Sequence, residues 1–254
     1  MSLTKFAPAH HHAYTKGFEM VADSLPEGYV AIDGGVTSVV THSTIPLFNQ
    51  IIITDDSATE HALESSVAVM GGTGLRFAVS LRAETDARFV PLLEQSGLVS
   101  GDTAPAMMMR PIVGHEMPEE LEIRSGPEAF DDHIQAASKG FGMPREILDA
   151  VLVPQLADRD DLTVYAGYLD DEPVTCSLGF IDDGSISVFN VATLEEYRGN
   201  GYGAAMTMKA VLDSMERGCD VAFLQATEMG FPLYERLGFE TIFTYKLWGL
   251  PPAS

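Results

Sequence analysis

The chain has 254 residues, 46% of them apolar, and its 37 acidic and 15 basic side chains give a formal charge of −22. That length allows one large domain or two of about 120 residues, each able to bury its own core. The surplus of carboxylates argues against nucleic-acid binding, which takes a basic face; no run approaches the ~20 apolar residues of a membrane span; and the N-terminus lacks the basic-then-apolar pattern of a secretory signal.

In chain order, a helix is expected over residues 8–24. It contains His10-His11-His12, three neighbours that cannot share one helical face, which speaks against a metal site there. Short strands rich in β-branched residues follow at 29–32, 36–41 and 49–54, with turn residues between them. A helix over 57–70 closes in Gly71-Gly72-Thr73-Gly74, and then come a strand at 77–81, a helix at 86–96 and a strand at 106–110. The acidic, Pro- and Gly-bearing stretch 114–120 is the expected link, dividing the chain into residues 1–116 and 117–254. Beyond it a strand at 121–124 leads into helices at 127–141 and 144–157 and a meander at 162–169, 173–181 and 185–191. A helix over 204–217, a strand at 221–225 and a tail strand at 246–249 complete the pattern. Cys176 and Cys219 have neither metal nor redox spacing and read as buried thiols of a reducing cytoplasm.

Chemistry concentrates between the last meander strand and its helix, in Arg198-Gly199-Asn200-Gly201-Tyr202-Gly203-Ala204. Three glycines in five residues leave the backbone N–H groups uncovered, and the helix dipole adds positive potential, a pocket suited to phosphate or pyrophosphate. Arg198 supplies a permanent cation beside it. A Walker-type loop would need Gly-Lys-Ser/Thr at its end, which is missing. A dinucleotide fingerprint fits Gly199, Gly201 and Ala204 but wants an acidic residue at the end of the next strand, whereas Asp220 stands at that strand's beginning. The remaining fit is Arg198-x-x-Gly201-x-Gly203. Together with Leu233-Tyr234-Glu235-Arg236-Leu237-Gly238-Phe239 downstream, it resembles the acetyl-CoA loop and the last helix and turn of the GNAT superfamily N-acetyltransferases. Those patterns are Arg/Gln-x-x-Gly-x-Gly/Ala and Leu-Tyr-x-x-x-Gly-Phe. The chain departs from the family at Thr227 and Gly230, where Asn and Ala are frequent.

The resemblance implies an α/β (α+β) fold with mixed, mostly antiparallel sheets flanked by helices. It implies acetyl-CoA as co-substrate, no metal, and a primary amine of a small molecule or peptide as acceptor, with longer acyl donors and lysine acceptors left open. Carried over, the backbone of Val191, Ala192 and Thr193 would pair with the pantetheine arm. The Val191 N–H would face the thioester carbonyl. The pyrophosphate would lie on the N–H groups of Gly199, Asn200, Gly201, Tyr202 and Gly203 beside Arg198. Tyr234 matches the family's general acid. No base is legible: Glu195, Glu196 and Glu228 stand near strand ends, a water chain is equally open, and His133 reads first as an ordinary helix residue.

The chain also repeats itself. Residues 91–98 lie over 232–239, an offset of 232 − 91 = 141, and residues 74–81 lie over 218–225, an offset of 218 − 74 = 144. Such a repeat argues for two copies of one fold. At the second offset Thr54-Asp55-Asp56-Ser57 stands where Arg198-Gly199-Asn200-Gly201 stands, and at the first Leu93 stands where Tyr234 stands. Two carboxylates would repel a pyrophosphate, so the first copy reads as a degenerate domain without a cofactor loop. This resembles tandem-GNAT proteins in which only the C-terminal copy is active. An N-acyltransferase is one function to test; a non-enzymatic sensor of acyl-CoA or amine is the alternative from another class, and a Rossmann dehydrogenase a third. The Arg198 loop fits the first two, and Tyr234 favours the enzyme.

Overall fold

The computed structural model describes residues 3–251. Two compact units divide the chain: one comprises the residues up to 106, 226–228 and those from 241 on, and the other comprises 107–225 and 229–240.

The first unit opens with α1 (Ala7–Asp23), β1 (Tyr29–Asp33), β2 (Val36–Val40) and β3 (Gln50–Ile53), followed by α2 (Glu60–Gly72), β4 (Ala78–Arg82) and α3 (Val90–Gln95). β1, β2 and β3 pair antiparallel in turn, and β3 then pairs parallel with β4. That reversal requires a crossover, which α2 supplies. Ile51, Ile52 and Ile53 are fully buried. A strand covered on both faces reads as a continuous apolar run in this way. Ile51 and Ile53 join Leu63 of α2, Leu81 and Leu93 in one core, each such side chain contributing roughly 1.5–3 kcal/mol.

β5 (Val99–Met109) begins seven residues earlier than the expected strand at 106, despite Gly101 and Pro105. The unit boundary falls inside it. The chain continues through β6 (Glu122–Ser125), α4 (Phe130–Phe141), α5 (Arg145–Asp149) and α6 (Pro154–Ala157). The single helix expected over 144–157 is therefore broken. Pro154 lacks an N–H and is tolerated only in a first helical turn, so it opens α6 and cannot continue α5. In the second unit β7 (Leu162–Leu169), β8 (Glu172–Asp182) and β9 (Ser185–Thr193) form the meander, α7 (Tyr202–Glu216) crosses over, and β10 (Val221–Gln225) pairs parallel with β9. β6 adds antiparallel to β7, so the strand order is β10-β9-β8-β7-β6. Ala166 and Tyr168 pack with Ala129 at the head of α4, whereas a side chain at Gly167 between them would run into Met206 of α7. Successive strand residues point to opposite faces, so α4 and α7 cover the two faces of this sheet.

α8 (Phe231–Leu237) follows, and β11 (Glu240–Gly249) ends the described chain. β11 starts well before the expected residue 246 and pairs antiparallel with β4, from Tyr245↔Arg82 to Gly249↔Ala78. Its Trp248 lies in the core of the first unit. The compact units therefore differ from the expected segments 1–116 and 117–254: the last strand is buried with the first unit.

Candidate active site

The site grows from a defect in β9. β9 and β10 are in register only from Ser185↔Val221 to Ser187↔Phe223, so β9 continues to Thr193 past the end of that pairing. On its other edge the register with β8 slips: Ala192 faces Cys176 and Phe189 faces Leu178. Asn190 and Val191 thus oppose Ser177 alone, a β-bulge. Asn190 takes a left-handed conformation, φ 53°. Beyond the bulge Thr175 Oγ1 donates to Ala192 O at 2.8 Å and meets Thr193 Oγ1 at 2.9 Å. α4 lies close over this end of β9 because residue 140 is glycine. A Cβ there would stand 2.9 Å from Ala192 Cβ and 3.2 Å from Thr193 N.

From β9 the chain passes a 3-10 turn, Glu195–Tyr197, and enters the glycine loop. Gly199 and Gly201 have φ of 83° and 86°, conformations that cost other residues strain, and a Cβ at either would meet no atom within 4 Å. Gly201 caps α7 without a side chain. The N–H groups of Tyr202, Gly203 and Ala204 have no acceptor within the helix, and the dipole of a 15-residue helix ends on them. The loop is held at several points. Arg198 Nε donates to Thr193 O at 3.1 Å and Nη2 to Gly140 O at 2.8 Å, two of its five N–H donors. Its guanidinium therefore clips the loop to α4 as well as bringing charge. Asn200 Nδ2 donates to Tyr197 O, Tyr197 bonds Glu172, and Tyr202 bonds Glu120 at 3.1 Å. The Glu172 charge raises the Tyr197 phenol's pKa; burial, then Glu120, raises that of Tyr202.

Gly203 is where three elements meet. A Cβ there would lie 3.4 Å from Thr193 Oγ1 of β9 and 3.5 Å from Leu233 Cδ2 of α8. Next to Leu233, Tyr234 is buried and its pKa is pushed up to about 12 by desolvation, against a hydrogen bond with Thr207 of α7. Thr207 Oγ1 donates to Gly203 O at 2.8 Å, and its hydroxyl beside the phenol lowers the Tyr234 pKa against the larger effect of burial. Thr207 has no family signal in the sequence and is recognisable only once α8 lies against α7. Val191–Thr193, Arg198–Gly203 and Tyr234 are thereby brought to one end of α7.

His133 is fully buried on α4. Its Nδ1 is 3.0 Å from Tyr165 O and its Nε2 is 2.7 Å from Asn190 Nδ2. A carbonyl only accepts, so Nδ1 carries the proton and Nε2 accepts from the amide. Burial drives its pKa down to about 4, leaving it neutral at pH 7. Glu195, Glu196 and Glu228 are exposed. Cys176 is buried, with its thiol pKa pushed up to about 12, which removes it as a nucleophile.

The corresponding helix start in the first unit is built differently. The N-cap Thr59 accepts from Ala62 N through its side chain, Glu60 sits in the first turn of α2, and Asp55 Oδ1 accepts from Ser57 N at 2.7 Å. Arg82 at the end of β4 pairs with Asp86 at 2.9 Å and with Asp56 at 3.2 Å. Leu93 is fully buried in apolar surroundings. Two of the three adjacent histidines are buried in this unit: His11 Nε2 donates to Ile53 O at 2.6 Å and its Nδ1 accepts from Tyr245 OH at 2.7 Å, while His12 is exposed. Among the described residues no group of three or more potential ligands could hold a metal ion, and no helix is long and apolar enough to cross a membrane.

Residues 160–241, from β7 to the start of β11, match the family described as Acetyltransferase (GNAT) domain. No curated protein matches the chain. Among solved structures, the fold is similar to a GCN5-related N-acetyltransferase from Kribbella flavida, with a TM-score of 0.75, 18% identity and coverage of 100% of this chain and 97% of that one. It is also similar to a GCN5-related N-acetyltransferase from Sphaerobacter thermophilus, with a TM-score of 0.60, 17% identity and coverage of 85% and 76%. A tandem GNAT protein from the clavulanic acid biosynthesis pathway has a TM-score of 0.62 at 9% identity, with coverage of 91% and 86%. At these identities the structural likenesses establish the fold, and the family match spans β7 to α8. Residues 160–241 thus match the acetyltransferase (GNAT) domain family, and the chain as a whole has the fold of the solved GCN5-related N-acetyltransferases.

Proposed function

We propose that this chain is an acetyl-CoA-dependent N-acetyltransferase, acting on a primary amine of a small molecule or peptide by direct attack. The observation that carries the proposal is the uncapped start of α7 beside the stretch of β9 beyond its pairing with β10. In this reading the pyrophosphate lies on the N–H groups of Gly199, Asn200, Gly201, Tyr202 and Gly203 beside Arg198. Each charge-assisted bond there adds about 1.5–3 kcal/mol. The pantetheine arm runs along Val191, Ala192 and Thr193, and the Val191 N–H stabilises the tetrahedral oxyanion by roughly 3 kcal/mol.

The amine nitrogen, having shed a proton to water or to a base, attacks the thioester carbon. As the tetrahedral intermediate collapses, the C–S bond breaks, the thiolate of CoA takes a proton from the Tyr234 hydroxyl, and the proton released from the attacking nitrogen returns through water to the Tyr234 phenolate. With a pKa of about 12 the phenol holds its proton at neutral pH and so is available as an acid.

We read residues 117–254 as the catalytic copy and residues 1–116 as a copy that does not bind the cofactor. The self-capped start of α2, the carboxylates Asp55 and Asp56 and the buried Leu93 support that division. Buried thiols at Cys176 and Cys219 fit a reducing, cytoplasmic setting.

The test is release of free thiol from acetyl-CoA against a panel of primary amines. Release with at least one amine, blocked by Gly201→Val, is the expected result. Acetyl-CoA binding with no release across the panel would favour a non-enzymatic sensor, and no binding at all would end the proposal.

A further inference from the structure

The buried histidine of α4 has no place in the chemistry above, yet it ends on the strand that would carry the oxyanion donor. His133 bridges two carbonyl-bearing strands and a single amide: Nδ1–H to Tyr165 O of β7 at 3.0 Å, and Nε2 from Asn190 Nδ2 of β9 at 2.7 Å. Its ring also lies against the backbone of Ser177, the one residue of β8 that faces the bulge. Asn190 is the bulge residue with φ of 53°, a left-handed conformation that asparagine tolerates better than most residues but that still needs support in a strand. Its carbonyl meets the Cys176 Sγ at 3.5 Å, so the peptide is fixed from both sides.

We propose that His133 is a positioning residue for acyl transfer: by holding the Asn190 amide it locks the β9 bulge and so sets the direction of the neighbouring Val191 N–H. This rests on the reading that places the thioester against β9. A bulge re-aims the residues beside it. Without the anchor, Asn190 can relax toward ordinary strand geometry, and the Val191 N–H turns with it. The pyrophosphate loop begins eight residues further on, is tied to α4 and β9 by Arg198, and does not depend on this bond.

The experiment compares steady-state kinetics of the full chain in five forms: the unaltered protein, His133→Leu, His133→Leu with Asn190→Gly, Asn190→Gly and Asn190→Ala. His133→Leu is expected to lower kcat by about tenfold to a hundredfold, the cost of a misdirected oxyanion donor, with KM for acetyl-CoA within about twofold. Glycine adopts positive φ without support, so the second substitution is expected to recover most of the lost kcat. Alanine at 190 has neither the amide nor glycine's freedom and is expected to lose kcat as His133→Leu does. A double variant no better than His133→Leu, or a His133→Leu protein with normal kcat, would overturn the proposal. If His133→Leu does not fold, Asn190→Ala against Asn190→Gly decides: equal kcat would overturn it, and a lower kcat for alanine would support it. Failure of the unaltered protein to release thiol from acetyl-CoA with any amine would instead refute the acetyltransferase reading itself.

Discussion

The starts of α2 and α7 occupy the same place in one topology, each following a strand that pairs parallel with the next strand after the helix. At α2 the chain caps its own helix, with Thr59 Oγ1 accepting from Ala62 N and Glu60 against the dipole, and Asp55 closes the turn before it on Ser57 N. At α7 a glycine stands at the cap, no side chain reaches back, and both that glycine and Gly199 have positive φ. One end is capped by a side chain of its own and the other is not. The same dipole at each end is therefore not what makes a site; what differs is whether the orphan N–H groups already have partners. The second contrast is Leu93 against Tyr234, an apolar core residue against a buried phenol beside Thr207.

The largest effect is expected at the second contrast. Tyr234→Phe keeps the ring and removes the proton donor, so turnover should fall by ~10²-fold, with the acetyl-CoA dissociation constant nearly unchanged. CoA thiolate is a tolerable leaving group, which limits the loss. Normal turnover in the Phe variant would reduce Tyr234 to a packing residue and make the two copies more alike than proposed.

Next comes the loop. Gly201→Val should weaken acetyl-CoA binding by about tenfold or more, roughly 1.4 kcal/mol, in an equilibrium titration. The cause has two parts: valine is strained at φ of 86°, and its branches enter the space that the glycine leaves open. Unchanged affinity in a folded variant would move the cofactor elsewhere.

The two units share one feature that gives a smaller, pH-dependent effect. His11 and His133 are each buried, and each has its pKa lowered to about 4 by desolvation, helped at His11 by Arg82. An unfolded histidine titrates near 6.5, so as pH falls the unfolded chain takes up these protons first. Stability should therefore be intact above about pH 6.5 and lost toward pH 4, by about 2 kcal/mol per histidine between pH 7 and 5. Denaturant midpoints at those two pH values measure it. His133→Gln should remove about half of the difference, and an unaltered slope would mean that the imidazole is protonated in the folded state.

The smallest effect is expected in the first unit. Asp55→Ala with Asp56→Ala removes the carboxylates but supplies no glycine loop, so acetyl-CoA affinity should not change; tighter or additional binding would show that only charge had kept the cofactor out.

The strands and the crossover helices were legible in the sequence because their apolar periodicity is local. The loop was legible because Gly201 is at once a positive-φ position and part of the pattern Arg198-x-x-Gly201-x-Gly203. The His133–Asn190 bond was not legible, since its partners lie 57 positions apart and neither belongs to a motif. Thr207 escaped for the same reason. Order along the chain puts the tail strand at 246–249 in the second copy, but the pairing of β11 with β4 depends on which sheet edge is open, a tertiary property. The break at Pro154 could have been foreseen from the residue alone. The length of β5 could not, because Gly101 and Pro105 argue locally against a strand that pairing stabilises.

The central claim is that one α7-type helix start, and not its α2 counterpart, takes the cofactor. Isothermal titration of the full chain with acetyl-CoA tests it most directly. One site per chain, lost or weakened at least tenfold in Gly201→Val, is the expected result. Two sites per chain, or one site indifferent to Gly201→Val, would contradict it.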